Sequence, residues 1–156
     1  MEQVKKSKIR FRPNVAGILQ NAEGQILICE RLSPPGAWQF PQGGVDKGET
    51  VEDALQREME EEICVRPEHY EVVEKRGPYR YVFTDNRKKR GFHGQEQTYF
   101  LLRFKGDDSC INVATKHQEF RTARWIYPNE FELSWLPDFK RDVYRAVLRD
   151  FFNVVK

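Results

Sequence analysis

The chain is expected to fold as an α/β protein, with a central mixed sheet sandwiched between two helices. Two segments have apolar residues at helical spacing: Val51, Leu55, Met59 and Ile63 in the first, and Val143, Val147, Leu148 and Phe151 in the second. The segments before and between them carry β-branched and aromatic runs divided by Gly, Pro, Asn and Asp. Strands on both sides of one helix, with a second helix at the end, are accommodated by layers packed on one sheet. At 156 residues the chain suits a single domain spanning 1–156. It shows no linker, internal repeat or low-complexity segment.

Residues 15–20 form the first expected strand, and Asn21-Ala22-Glu23-Gly24 supplies the turn into a partner strand over 25–31. Pro34-Pro35-Gly36 then breaks the chain into a loop. Thr50 is a good N-cap for the first helix, with Asp53 at the third helical position and Glu52 and Asp53 in the positively polarised first turn. Strand character returns at 70–75, 79–83, 98–104 and 122–127. Pro137 and Asp138 open the final helix. Trp38, Phe40, Tyr99, Phe100 and Trp125 are expected in the core, and His69, His93 and His117 on the surface.

The first helix carries more acid than a structural helix has use for. Turning through about 100° per residue from Leu55, Glu62 falls about 20° from the centre of the apolar stripe, Glu58 about 60° and Glu61 about 120° away on the same side. Ionised carboxylates crowded on a buried face are costly, because lost hydration and mutual repulsion both oppose the charged forms. A divalent cation offsets both. The candidate ligands are all oxygens and no Cys or His lies at metal spacing, so Mg²⁺ or Mn²⁺ is expected rather than Zn²⁺. A solvated acidic face accounts for Glu52, Asp53 and Glu60 but badly for Glu62. Upstream, Gln42-Gly43-Gly44 lacks bulky side chains, so a backbone carbonyl there can approach a metal. Arg57, four residues before Glu61, can pair with it.

Charge and cysteine usage narrow the setting. The formal net charge of +2 does not by itself announce nucleic acid. Its distribution says more: acids concentrate in the first helix, and bases cluster over 5–12, 76–80, 87–90 and 140–141. A basic rim around an acidic, metal-loaded centre suits a polyphosphate whose tail continues as a charged chain. Cys29, Cys64 and Cys110 are odd in number and widely spaced, which argues for a reducing compartment. With no run long enough to cross a bilayer, a soluble cytoplasmic protein is expected. The oligomeric state, a homodimer included, is not legible in the residues.

Gly43, five residues, Glu49, seven residues, then Arg57-Glu58-Met59, one residue, Glu61-Glu62, one residue and Cys64-Val65 resembles the Nudix box of the nucleoside-diphosphate-linked hydrolases. One position departs from that pattern. The family has Gly where this chain has Cys64, at the place where a left-handed residue usually closes the helix, so strain or a different helix ending is expected there. Beyond the box, Arg12-Pro13-Asn14-Val15, Trp38 to Gly44, Gly94 to Leu102, Glu119-Phe120 before Arg124-Trp125, and Phe139 to Tyr144 look like the bacterial RNA pyrophosphohydrolases. That subfamily overlaps in sequence with the asymmetric diadenosine tetraphosphate hydrolases.

The resemblance implies a Nudix-type α/β/α sandwich that binds two or more Mg²⁺ ions, with Mn²⁺ as an alternative. Glu58, Glu61 and Glu62, with Gly43 and the remote Glu119, would be metal ligands, and Arg57 and Glu49 orienting residues; Glu119 would be a further ligand or base. Arg12, Arg31, Tyr81, Phe139, Lys140 and Arg141 would line the 5′ end of an RNA, with a base held between the Arg and the Phe. A guanidinium facing an aromatic ring holds an unstacked base with modest sequence demand. The implied reaction is removal of pyrophosphate, or of successive phosphates, from a 5′-triphosphate or diphosphate RNA end. The product, a 5′-monophosphate, can mark a transcript for decay. Three alternatives stand beside it: diadenosine polyphosphate hydrolysis, sanitising of free nucleotides, and a non-catalytic RNA- or nucleotide-binding module. The intact carboxylate set argues against the last.

Overall fold

The computed structural model describes residues 8–84 and 91–156. The basic run 87–90 and the first two lysines of the 5–12 cluster lie outside them. A seven-stranded sheet forms the centre: β1 (Phe11–Gln20), β2 (Ile26–Arg31), β3 (Trp38–Gln39), β4 (Gln42–Gly44), β5 (Tyr70–Val82), β6 (Gly94–Phe104) and β7 (Phe120–Ile126). The helices are α1 (Val51–Ile63) and α2 (Asp138–Phe152). The path through the sheet runs β3-β2-β1-β6-β5, with β4 added to β1 and β7 to β2. Among the described residues only β1 and β6 run parallel, from Phe11 opposite Gly94 to Gln20 opposite Arg103. The sheet is therefore mixed, as expected.

Alternation along β1 divides the core in two. Val15 and Leu19 face α1, where Leu55, Met59 and Ile63 join Leu27, Phe100 and Leu102. Ala16 and Ile18 face α2, where Val143, Tyr144, Val147 and Leu148 pack with Phe40, Tyr99 and Phe131. Phe40, Tyr99 and Phe100 are buried, whereas Trp38 and Trp125 only border the core. Each tryptophan has a reason to stay at the edge. Trp38 stacks on the Arg124 guanidinium, 4.4 Å from the ring centre, and the Trp125 indole N–H donates to Asp108 at 2.9 Å.

The strand boundaries differ from expectation: β1 starts at Phe11 and β6 at Gly94, earlier than the expected 15 and 98, because their pairing runs on to those ends. Segments 70–75 and 79–83 belong to one long strand, β5, which stays paired to β6 through register shifts at 72–74 and 76–79. The Pro78 that separates them in sequence sits in the second irregularity, which lets the strand continue. β4 is too short to show a period; its pairing of Asn14 with Gly44 and Val15 with Gly43 brings the glycine turn onto β1.

Candidate active site

Helix α1 opens with a capping box: the Thr50 side chain accepts from the Asp53 N–H at 3.1 Å, and the Asp53 carboxylate accepts from the Thr50 N–H at 3.3 Å. The helix ends on Cys64, at φ 62° and ψ 16°, with the Val65 N–H reaching back to the Met59 carbonyl at 3.2 Å. Cys64 thus adopts the left-handed closure in spite of its side chain, and the carboxylates keep the placement that a glycine would have given them.

Arg57 organises the site. Its Nε and Nη2 grip the Glu49 carboxylate at 2.8 and 2.9 Å, Nη1 donates to Glu58 at 2.7 Å, and Nη2 donates to the Gly44 carbonyl at 2.9 Å. Glu61 lies further off, at 3.4 Å from Nη1, and Asp46 at 3.5 Å from Nη2. Glu49 also accepts from the Asp46 N–H at 2.8 Å. Bonded first by Arg57 and then by this amide, Glu49 is held ionised down to about 2. One guanidinium therefore ties the loop 44–49 to the acidic face of α1.

Glu62 is the unusual group. It is 6% exposed, and its Oε1 has no hydrogen-bond partner among the described residues. Burial, then its hydrogen bond to Glu58, then the charges of Glu58 and Glu119 push its pKa up, against a weaker opposing bond from the Gln42 backbone. Burial raises Glu58 too, while its hydrogen bonds with Glu62 and Arg57 act in the other direction. Burial thus favours the protonated form of both acids, more strongly at Glu62. Glu61 is exposed and leans to Arg57, so among the described residues no three acidic, His or Cys side chains are gathered into a ready-made metal cage.

The glycine turn lies directly over these acids. A Cβ on Gly43 would overlap the Glu58 carboxyl, and one on Gly44 would overlap the Arg12 guanidinium. Only residues without side chains allow the backbone so close to both. Arg12, expected on the substrate side, is thereby placed against the turn.

The other expected residues fall in two groups. Glu119 is exposed, yet its charge is felt at Glu62, and its carbonyl accepts from the Leu32 N–H at 3.3 Å. The β2–β7 pairing sets Phe120 opposite Arg31, so Glu119 and the exposed Arg31 share one end of the sheet. On the other side, Tyr81 and Phe139 pack with ring centres 5.5 Å apart, and Phe83 stands edge-on to Phe139 at 6.0 Å. The Tyr81 hydroxyl donates to Gln95. Lys140 is half-buried beside them on α2. Arg141 is committed elsewhere: its Nε donates to the carbonyls of Leu133 and Leu136 at 3.1 and 3.0 Å, and Nη1 pairs with Asp138 at 2.8 Å. It anchors the turn before α2. Phe83 and Asp46 were not singled out in the sequence; for Phe83, its two-residue step from Tyr81 on one strand face is the signal that could have found it.

Residues 10–148 match the family described as NUDIX domain. A Roseobacter denitrificans protein named RNA pyrophosphohydrolase is 42% identical over 151 residues, covering 93% of this chain and 94% of that one. One of the same name from Shewanella baltica is 43% identical over 152 residues, covering 90% and 83%. Among solved structures, a Caenorhabditis elegans Ap4A hydrolase binary complex is similar in fold, with TM-score 0.64 and 20% identity over 90% of this chain and 99% of that one. The Escherichia coli dihydroneopterin triphosphate pyrophosphohydrolase has TM-score 0.65 and 17% identity over 92% and 97%.

Proposed function

The chain belongs to the Nudix family, and we propose that within it this protein removes pyrophosphate, or successive phosphates, from the 5′-triphosphate or diphosphate end of RNA. The observation that carries the reading is the buried Glu62, with an unpartnered oxygen, beside Glu58 and under the bare Gly43. An orphaned buried carboxylate oxygen, a second carboxylate and a backbone with no side chain in the way make an all-oxygen donor set that fits a hard divalent cation. Glu58, Glu61, Glu62 and the Gly43 carbonyl would hold Mg²⁺ or Mn²⁺, with Glu119 as a further ligand or base. When bound, the metal supplies positive charge at the phosphate oxygens and lowers the pKa of a water.

The chain's own residues supply the remaining needs. Arg57 fixes Glu58 and the loop through Glu49, so the carboxylates are held in place before substrate arrives. Arg12, resting on Gly44, presents a cation where the phosphate chain enters. The Phe139 ring, backed by Tyr81 and Phe83, offers a stacking face for a base, and Arg31 and Lys140 add charge along the RNA end. Water adds to phosphorus, the phosphoanhydride P–O bond breaks, and pyrophosphate leaves an RNA with a 5′-monophosphate. Relatives of about 42% identity named RNA pyrophosphohydrolase support this substrate over a dinucleoside polyphosphate. Among the described residues no helix is long and apolar enough to cross a membrane, and a cytoplasmic location accords with an RNA substrate.

The test compares kcat/KM on 5′-triphosphorylated RNA, diadenosine tetraphosphate and nucleoside triphosphates with Mg²⁺ present. RNA is expected to be the best of the three. A higher value for diadenosine tetraphosphate would move the assignment to that substrate, and no turnover of any would leave a binding module.

A further inference from the structure

A path of buried polar side chains runs beneath the glycine turn. The Phe40 N–H donates to the Tyr144 hydroxyl at 3.1 Å, and the Tyr144 ring stands edge-on to the Tyr99 ring at 6.4 Å. The Tyr99 hydroxyl donates to Gln97 Oε1 at 3.0 Å, Gln97 Nε2 to Asn14 Oδ1 at 2.9 Å, and Asn14 Nδ2 to Gln42 Oε1 at 2.8 Å. The path leaves the loop at Phe40 and returns to it two residues later. Between those points the Pro41 carbonyl accepts from the Gly17 N–H at 3.0 Å. The next backbone group along, Gly43, lies directly on the Glu58 carboxyl.

These groups are deep: Asn14 is 2% exposed, Gln97 3%, Tyr99 0% and Tyr144 4%. Apolar side chains of similar shape would fill the same space at little or no cost in stability, so the amides are not explained by burial alone. What they add is a single geometry, since each donor meets one acceptor and any slip leaves a buried group unpaired. We propose that Asn14, Gln97, Tyr99 and Tyr144 are positioning residues that fix Gln42 and Gly43 against Glu58 and Glu62. Helix α2, through Tyr144, then sets the geometry of the carboxylate site as well as carrying Phe139. This rests on the metal-dependent reading above.

Two variants test it. Gln97→Leu removes the centre of the path, and Tyr144→Phe removes one oxygen at its far end, so a failure of the first to fold leaves the second to decide. Mn²⁺ binding to the RNA-free protein is measured by electron paramagnetic resonance, kcat and KM on triphosphorylated RNA with Mg²⁺, and stability by thermal melting. Gln97→Leu should weaken Mn²⁺ and lower kcat by about 10-fold each, the scale seen when a ligand's supporting hydrogen bond is lost, with KM for RNA little changed. Tyr144→Phe should move both in the same direction by less. Unaltered Mn²⁺ affinity and kcat in folded variants, whatever their melting temperature, would overturn the positioning role alone. An unmutated protein that neither binds Mn²⁺ nor hydrolyses the RNA would overturn the functional reading, and this one with it.

Discussion

At the scale of the residue, burial of Glu62 next to another acid favours its protonated form, and that has a consequence for folding. Its pKa is raised in the folded state above the ordinary 4.5, so between those two values the folded chain binds a proton that the unfolded chain has lost. Stability from this group is full below about 4.5 and falls as the pH rises towards the folded pKa. Glu62→Gln should therefore melt higher than the unmutated protein in EDTA at pH 8, with the gap closing towards pH 5. The same variant should lose more than about 100-fold in Mg²⁺-dependent turnover, because a ligand charge is gone. An active Glu62→Gln enzyme would remove the metal assignment. Arg57 is the second test at this scale. Lysine cannot reproduce a guanidinium that meets Glu49 with two nitrogens and Glu58 with a third, so Arg57→Lys should lower kcat by about 10- to 100-fold. If KM for RNA rises instead and kcat holds, Arg57 touches substrate rather than orienting the acids.

At the scale of the element, both helices are set by their ends. Helix α1 starts on a complete capping box and stops on a left-handed Cys64. A side chain in that conformation costs about 1 to 2 kcal/mol. Cys64→Gly should raise stability in urea by about 1 kcal/mol, the relief being trimmed by the freer unfolded chain, and should leave kcat unchanged. A loss of stability would mean that the half-buried thiol packs better than its backbone suggests. Helix α2 carries Phe139 in its first turn, where it lies on Tyr81 and Phe83 and still keeps part of its surface exposed. Phe139→Ala should lower activity on triphosphorylated RNA by about 10-fold or more, the loss of one stacking contact of about 1 to 3 kcal/mol, with metal dependence unaltered. Equal losses on every substrate, accompanied by earlier melting, would assign Phe139 to the core instead.

At the scale of the whole molecule, the split between acidic centre and basic rim is less simple than the linear sequence suggests. Arg76 pairs with Glu74 and Arg80 with Glu96, so that stretch is compensated from within the sheet. The run 87–90, between β5 and β6, then becomes the main candidate for contact with RNA beyond its first nucleotides. Neutralising Arg87 through Arg90 should weaken hydrolysis of RNA more than of diadenosine tetraphosphate, and raised salt should erase the difference. Equal losses on both substrates would count against any contact with the RNA chain.

The sequence by itself determined the two helices, the layered α/β class, the acids of α1 and the family to which they belong. These follow from periodicity and fixed local spacing, which act within a few turns of chain. Residues 57 to 62 keep their mutual geometry wherever the helix is placed. Tertiary structure alone decided which distant groups meet that helix. The β1–β4 pairing sets Gly43 over Glu58 and Gly44 against Arg12, and the β2–β7 pairing brings Glu119 within electrical reach of Glu62. It also bonded Arg141, expected on the substrate side, to the turn before α2, and left Trp38 and Trp125 at the margin of the core. No local rule reports such outcomes, because a strand's partner and a side chain's nearest acceptor depend on residues as far as 104 positions away. The path from Phe40 and Tyr144 through Tyr99, Gln97 and Asn14 back to Gln42 is the clearest instance: its side chains lie in blocks far apart in sequence that no local spacing connects, and they meet only when the sheet and α2 close around them.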